Sequence, residues 1–131
     1  IVKGILSIED ALNCIRLKCD GLWISNHGGR MFNSGISGVE ALREIKKKIS
    51  NKKIKIFVDG GVRRGSDILK LLCLGADFIG IGRPAIHGLI CHGKEGVKNI
   101  FDILNSELLT AMTNGGFRDF SECKTSRIKF K

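Results

Sequence analysis

Four times along this chain a short apolar run gives way to an amphipathic segment, and that alternation is the strongest constraint on its fold. Strands that each return through a helix pair in parallel, with the helices covering the sheet. Residues 1–2 read as the end of a strand. Ser7 then opens a helix with Asp10 as its capping acid, and Ile8, Ala11, Leu12 and Ile15 recur at helical spacing. Residues 21–25 read as the second strand, 26–37 as a Gly-rich loop, and 39–49 as a helix with a Lys-rich polar side. Residues 54–58 form the next strand, with the near-continuous apolar character of one buried on both faces. A helix over 66–74 stops at Gly75, a C-terminal cap. A strand over 77–81 leads into Gly82-Arg83-Pro84 and then into helices over 84–91 and 94–113, with Leu108, Leu109 and Met112 facing the core. After Gly116 the tail reads as irregular and basic. The fold class is α/β, and no linker or composition shift divides residues 1–131, so they make one domain at most.

Composition narrows the function classes. With 43% hydrophobic residues the chain can build a core, yet no apolar run approaches the ~18 residues that cross a bilayer. The net charge of +9 raises the question of nucleic acid. Much of the excess is local, however, in Lys46 to Lys48, Lys52, Lys53, Lys55 and the tail from 124 to 131. Seven Phe, one Trp and no Tyr leave single-strand stacking without a platform. The Lys cluster therefore reads as a solvated face, and no nucleic-acid partner is expected. Five Cys, an odd number without a C-x-x-C pair, point to reduced thiols of a cytoplasmic protein rather than disulfides or zinc. His87 and His92 read as surface or capping residues, and no metal is expected. Ile1 stands inside an apolar run where a native start would place Met, which suggests a piece of something longer.

The chemistry-bearing residues lie just after strand ends, the edge at which parallel α/β folds bind ligands. Gly82-Arg83 alone could be a tight turn with a solvated Arg. Paired with Asp59-Gly60-Gly61-Val62-Arg63-Arg64-Gly65 one strand earlier, it matches a barrel phosphate site: glycines admit an anion to the backbone, helix N-termini aim N–H groups at it, and Arg adds a charged fork. Ser25-Asn26-His27-Gly28-Gly29-Arg30 sets an imidazole that can take a proton beside a guanidinium that can hold a carboxylate, a combination suited to a small hydroxy acid. Lys3 has two open readings, a snorkelling surface side chain or a cation for negative charge on a cofactor ring.

Taken in order, Val2-Lys3-Gly4, Ser25 to Arg30, Asp59 to Asp67, Leu74-Gly75-Ala76 and Ile81-Gly82-Arg83-Pro84 resemble the FMN-dependent 2-hydroxy acid dehydrogenases and oxidases, from residue 1 to about 116. That family includes L-lactate dehydrogenase, glycolate oxidase and mandelate dehydrogenase. The resemblance implies a TIM barrel of which this chain is the C-terminal half, strands five to eight with their helices. It implies that His27 is the catalytic base and Arg30 the substrate-carboxylate ligand. Lys3, Ser25, Asp59, Gly60, Gly61, Val62, Arg63, Gly82 and Arg83 are then the FMN contacts. The implied reaction oxidises an (S)-2-hydroxy acid, L-lactate foremost, to the 2-oxo acid. A barrel needs about 250 residues, so the chain alone is expected to be inactive and to require an N-terminal half as partner. Family tetramers make a homo-oligomer an expectation, and a quinone acceptor would bring the protein to the inner face of the membrane. The alternative is a non-catalytic remnant, truncated or split, that binds phosphate or FMN weakly at most. Departures from the family pattern are Met31-Phe32-Asn33 where Gln-Leu-Asp is usual and Lys18 where a glycine ends the first helix. Ile36-Ser37 leans toward the mandelate dehydrogenases.

Overall fold

A computed structural model describes residues 1–31, 35–49 and 53–129. Asn33, Lys52 and the last two tail residues lie outside them. The order is β1 (Val2–Ile5), α1 (Ile8–Arg16), β2 (Gly21–Ile24), a single 3-10 turn (His27–Gly29), α2 (Gly38–Lys48), β3 (Lys55–Asp59), α3 (Gly65–Cys73), β4 (Phe78–Gly80) and α4 (Arg83–Asn114). Two further 3-10 turns, Phe120–Glu122 and Thr125–Arg127, give the tail local structure. The four strands form one parallel sheet in the order β1-β2-β3-β4. Its register sets Lys3 beside Trp23, Trp23 beside Phe57, and Phe57 beside Phe78.

Side chains alternate across a strand, so each strand serves two faces. Leu22, Ile24, Ile56 and Val58 are buried on one of them, in a single core with Ala11 and Cys14 of α1, Ala41, Leu42 and Ile45 of α2, and Leu71 of α3. The opposite face carries an aromatic row, with Trp23 and Phe57 ring centroids 5.6 Å apart and Phe57 and Phe78 stacked at 4.5 Å. Phe78 is half exposed there. The expectation that β3 is buried on both faces is thus corrected: Ile56 and Val58 are buried, while Lys55 is exposed and Phe57 and Asp59 are only partly covered. β1 also differs from expectation. It continues past Lys3 to Ile5 through a register shift at Gly4, whose φ of 91° needs a residue without Cβ.

Helix ends follow their sequence signals. Ser7 Oγ accepts from Asp10 N–H at 3.1 Å, and Ser37 with Glu40 forms a reciprocal capping box. Gly75 (φ 94°) closes α3, with Ala76 N–H donating to Leu71 C=O and Gly75 N–H to Leu72 C=O. α1 closes by the same bonds, Cys19 N–H to Cys14 C=O and Lys18 N–H to Ile15 C=O, but here Lys18 takes the left-handed conformation at φ 55°. Relieving that Cβ clash, less the extra freedom glycine gains on unfolding, should make Lys18→Gly more stable by up to ~1 kcal/mol. Thermal unfolding should show a rise of about 4 °C; an unchanged or lower midpoint would contradict it. α4 bends at His92 and Gly93, where the two expected helices meet. The bend lets Gly88 and Gly96 approach so closely that a Cβ on Gly88 would sit 2.5 Å from Gly96 O. Leu104, Leu108 and Met112 are buried along α4, but Leu109 is 61% exposed, against the expectation that it faces the core.

Candidate functional site

The strand C-termini open onto one cavity of about 630 Å³. Lys3 reaches it from β1. His27, Gly28 and Arg30 come from the loop after β2, and Asp59 to Arg63 from the end of β3 and the turn beyond it. Gly80 to Arg83, with Ile86 from the first turn of α4, close the other side. Every residue to which the resemblance assigns a role lines this cavity except Ser25; Asn26, Gly29, Arg64 and Gly65 of the same motifs stand outside the lining.

Ser25 is 3% exposed and lies behind the wall. Its Oγ accepts from Lys3 Nζ at 2.6 Å and from His27 N–H at 3.1 Å, and donates to Asp59 Oδ1 at 2.5 Å. Lys3 Nζ also pairs with Asp59 Oδ2 at 3.1 Å and lies 5.2 Å from the Trp23 ring centroid. One buried hydroxyl thus fixes the ammonium, its counter-ion and the backbone of the residue bearing the imidazole. Groups from β1, from the end of β3 and from the loop after β2 meet at that atom, which fixes their spacing.

His27 takes φ 54°, and Gly28 and Gly29 follow at 69° and 75°. Three successive left-handed residues swing the chain sharply off β2. Asn26 stabilises the turn by accepting Gly28 N–H on Oδ1 at 3.1 Å. Across the mouth, Arg83 Nη2 donates to Gly28 C=O at 3.3 Å and ties the start of α4 to this loop. Among the described residues no side chain hydrogen-bonds the His27 imidazole, which is exposed to the cavity.

The glycines of the opposite wall face open space. A Cβ on Gly61 or Gly82 would meet nothing within 4 Å, although Gly61 holds φ 79° and Gly60 94°. Packing therefore leaves the backbone at Gly82 open to the cavity. Beside these glycines α4 begins with Pro84 in its first turn and no side-chain cap on its free N–H groups. The lining residues include four cations, Lys3, Arg30, Arg63 and Arg83, against one carboxylate, Asp59. Such a wall suits an anion as large as a phosphate ester. The aromatic ring of Trp23 forms part of the lining, and its buried Nε1 has no hydrogen-bond partner among the described residues. An orphaned donor, an apolar ring, open glycines and a cationic wall fit a flat polar ring carrying a phosphate tail, as FMN does.

Sequence reading missed Trp23, Gly80 and Ile86. The signal for Trp23 was its parity with Ser25 and Gly21 in β2, which puts it on the aromatic face. Ile86 lay one helical turn past the Gly-Arg-Pro corner. Elsewhere among the described residues, no group of three or more His, Cys, Asp or Glu could hold a metal, and no helix is long and apolar enough to cross a membrane.

The family model for FMN-dependent dehydrogenases matches residues 1–130. The chain is 45% identical over 130 residues to 2-hydroxyacid oxidase 2 of Mus musculus, covering 99% of this chain and 36% of that protein. It is 43% identical over 128 residues to an L-lactate oxidase of Lentilactobacillus hilgardii, covering 98% and 34%. Among solved structures, a monotopic membrane protein, (S)-mandelate dehydrogenase, superposes with a TM-score of 0.92 at 35% identity, over 99% of this chain and 34% of that one. A mandelate oxidase variant with the monooxide FMN adduct superposes at 0.90 with 36% identity, over 98% and 40%. The chain spans about a third of the length of the curated relatives it matches.

Proposed function

This chain belongs to the FMN-dependent dehydrogenase family, and from that premise we propose that it is the C-terminal half of an eight-stranded barrel oxidising (S)-2-hydroxy acids, L-lactate foremost, to 2-oxo acids. One observation carries the reading: an imidazole, a guanidinium, a buttressed ammonium and an open glycine wall converge on a single cavity from four strand ends. FMN, when bound, accepts the electron pair removed from the substrate.

The chain's own residues supply the rest. Arg30 holds the substrate carboxylate through its planar fork. That contact turns the hydroxyl carbon toward the cavity and the hydroxyl toward His27, whose imidazole takes the proton. Lys3, held in place by Ser25 and Asp59, would be the cation beside the cofactor ring, placed to offset negative charge there. Gly60, Gly61, Gly82, Arg63 and Arg83 would hold the phosphate, and Val62, 3% exposed, seats their loop on the core. Ser25 acts through its three neighbours and sets their spacing.

The bare aromatic face and the two strand edges at β1 and β4 are the surfaces that an N-terminal half would close. That half would also bring the group that orients His27. A cytoplasmic location is part of the proposal, with attachment to the inner membrane face where a quinone is the acceptor; the monotopic membrane character of one related structure supports that last element.

The test is co-expression with a matching N-terminal half. The purified complex should be yellow and should reduce a dye when L-lactate is added. A colourless complex that leaves lactate untouched would overturn the reading. Titration of the chain alone with FMN separates the remnant alternative, for cooperative unfolding with micromolar flavin binding contradicts it.

A further inference from the structure

Away from the cavity, the fold brings together two thiols that are far apart in sequence. Cys73 is the last residue of α3 and is 1% exposed. Cys123 follows the turn Phe120–Glu122 in the tail and is partly exposed. Thr125 Oγ1 donates to Cys73 C=O at 3.1 Å, so the tail two residues past Cys123 is tied to the Cys73 backbone. Arg127 extends the attachment: its Nη2 donates to Gly115 C=O at 2.8 Å and to Gly116 C=O at 3.1 Å, and its guanidinium lies 4.6 Å from the Phe117 ring centroid. Within this frame the Cys123 thiol and the Arg127 guanidinium lie close enough to Cys73 to act on it electrostatically. Burial first, then the Cys123 thiol, pushes the Cys73 thiol up to about 11.

We propose that Cys73 and Cys123 form a reversible disulfide that fastens the C-terminal tail to α3, with a hydroperoxide as the oxidant. Exposure assigns the roles. Cys123 meets the oxidant: its sulfur attacks a peroxide oxygen, the O–O bond breaks, and a sulfenic acid forms as the hydroperoxide is reduced to the alcohol, or to water where hydrogen peroxide is used. Cys73, sealed from solvent, is the resolving thiol. Its sulfur displaces the sulfenic oxygen, which leaves as water with the Cys73 proton. The two thiols together lose two electrons and two protons, and a dithiol reductant restores them. The crosslink spans α4 entirely, so it restricts the unfolded chain over a long loop. None of the cavity residues takes part, so its failure would leave the hydroxy acid reading untouched.

The experiment treats the full chain with hydrogen peroxide, blocks remaining thiols after unfolding, digests without reduction and maps the peptides by mass spectrometry. The expected product joins the Cys73 peptide to the Cys123 peptide, lighter than their sum by two hydrogens and separated again by dithiothreitol. The oxidised chain should melt roughly 10 °C higher than the reduced one. Cys91, exposed on α4, is the internal reference and should join neither peptide. Cys123→Ser, a change in the tail, should lose both the crosslink and the thermal gain; Cys73→Ser should do the same where it folds. A Cys123 that proceeds to sulfinic acid while Cys73 stays open to blocking would overturn the proposal, as would a crosslink from Cys73 to any other cysteine.

Discussion

Replacing His27 with alanine in the complemented enzyme is expected to lower kcat by roughly 10²- to 10⁴-fold, the usual worth of a positioned general base, while bound flavin stays at its wild-type level. The separation follows from where the residue is anchored. Its backbone N–H donates to Ser25 Oγ, and its left-handed φ is shared with Gly28 and Gly29, so the loop is held by backbone geometry rather than by the imidazole. Truncating the ring removes a proton acceptor and leaves the Arg83 to Gly28 bond and the glycine wall in place. Arg30 is also retained, so KM for the acid should move little. Flavin absorbance and steady-state dye reduction on the same preparation check both halves of the statement. Near-wild-type turnover would mean that another group takes the proton, and the assignment of His27 would fail with it.

Why the sequence reached this site but not all of its parts is a matter of which interactions are local. The caps at Ser7 and Gly75 are satisfied within six residues, so their chemistry is readable without a fold. The cavity lining was also accessible, because strand-to-helix loops of a parallel sheet share one edge by topology. Ser25 was different. Its bonds to Lys3 and Asp59 cross 22 and 34 residues, and only the register of β1 on β2 on β3 shows that one hydroxyl serves both. β3 misled because a run such as Ile56-Phe57-Val58 carries apolar side chains to both faces whether or not both are covered. Leu109 misled because adjacent residues on a helix point about 100° apart, and Leu108 already occupies the face against α3. The proximity of Cys73 to Cys123 is tertiary throughout and has no sequence signal.

Gly65→Ala should be one of the most damaging single-methyl changes among the described residues, costing on the order of 3 kcal/mol and weakening flavin retention together with stability. Gly65 is the first residue of α3, and a Cβ there would collide with Leu108 N and Glu107 C in the backbone of α4. No rotamer change relieves a clash with backbone, so α3 must withdraw. Its N-terminus is also where the anion wall is anchored. Gly65 N–H donates to Glu107 Oε2 at 2.8 Å, Arg64 Nη1 to Glu107 Oε1 at 2.8 Å, and the N–H groups of Arg63 and Arg64 to Asp67 Oδ2 at 3.1 and 3.0 Å. Moving α3 off α4 therefore displaces the turn that carries Gly60 to Arg63. Gly61→Ala isolates the alternative cause, since its Cβ meets nothing and only the positive φ is strained; it should cost about 1 kcal/mol. The clasp also has a pH signature. The Gly65 N–H first, then the Arg64 guanidinium, hold the Glu107 carboxyl below its ordinary range. Its contribution is therefore fully present above the unfolded carboxylate pKa and is lost as pH falls through the lower folded value. Wild-type chain should lose that part of its stability on acidification, and Gly65→Ala, with the clasp already pulled apart, should lose less of it. Melting curves for the three proteins from neutral to acid pH decide the matter: a Gly65→Ala midpoint equal to wild type, or no worse than Gly61→Ala, would show that the close approach of α3 to α4 is not what holds the anion wall.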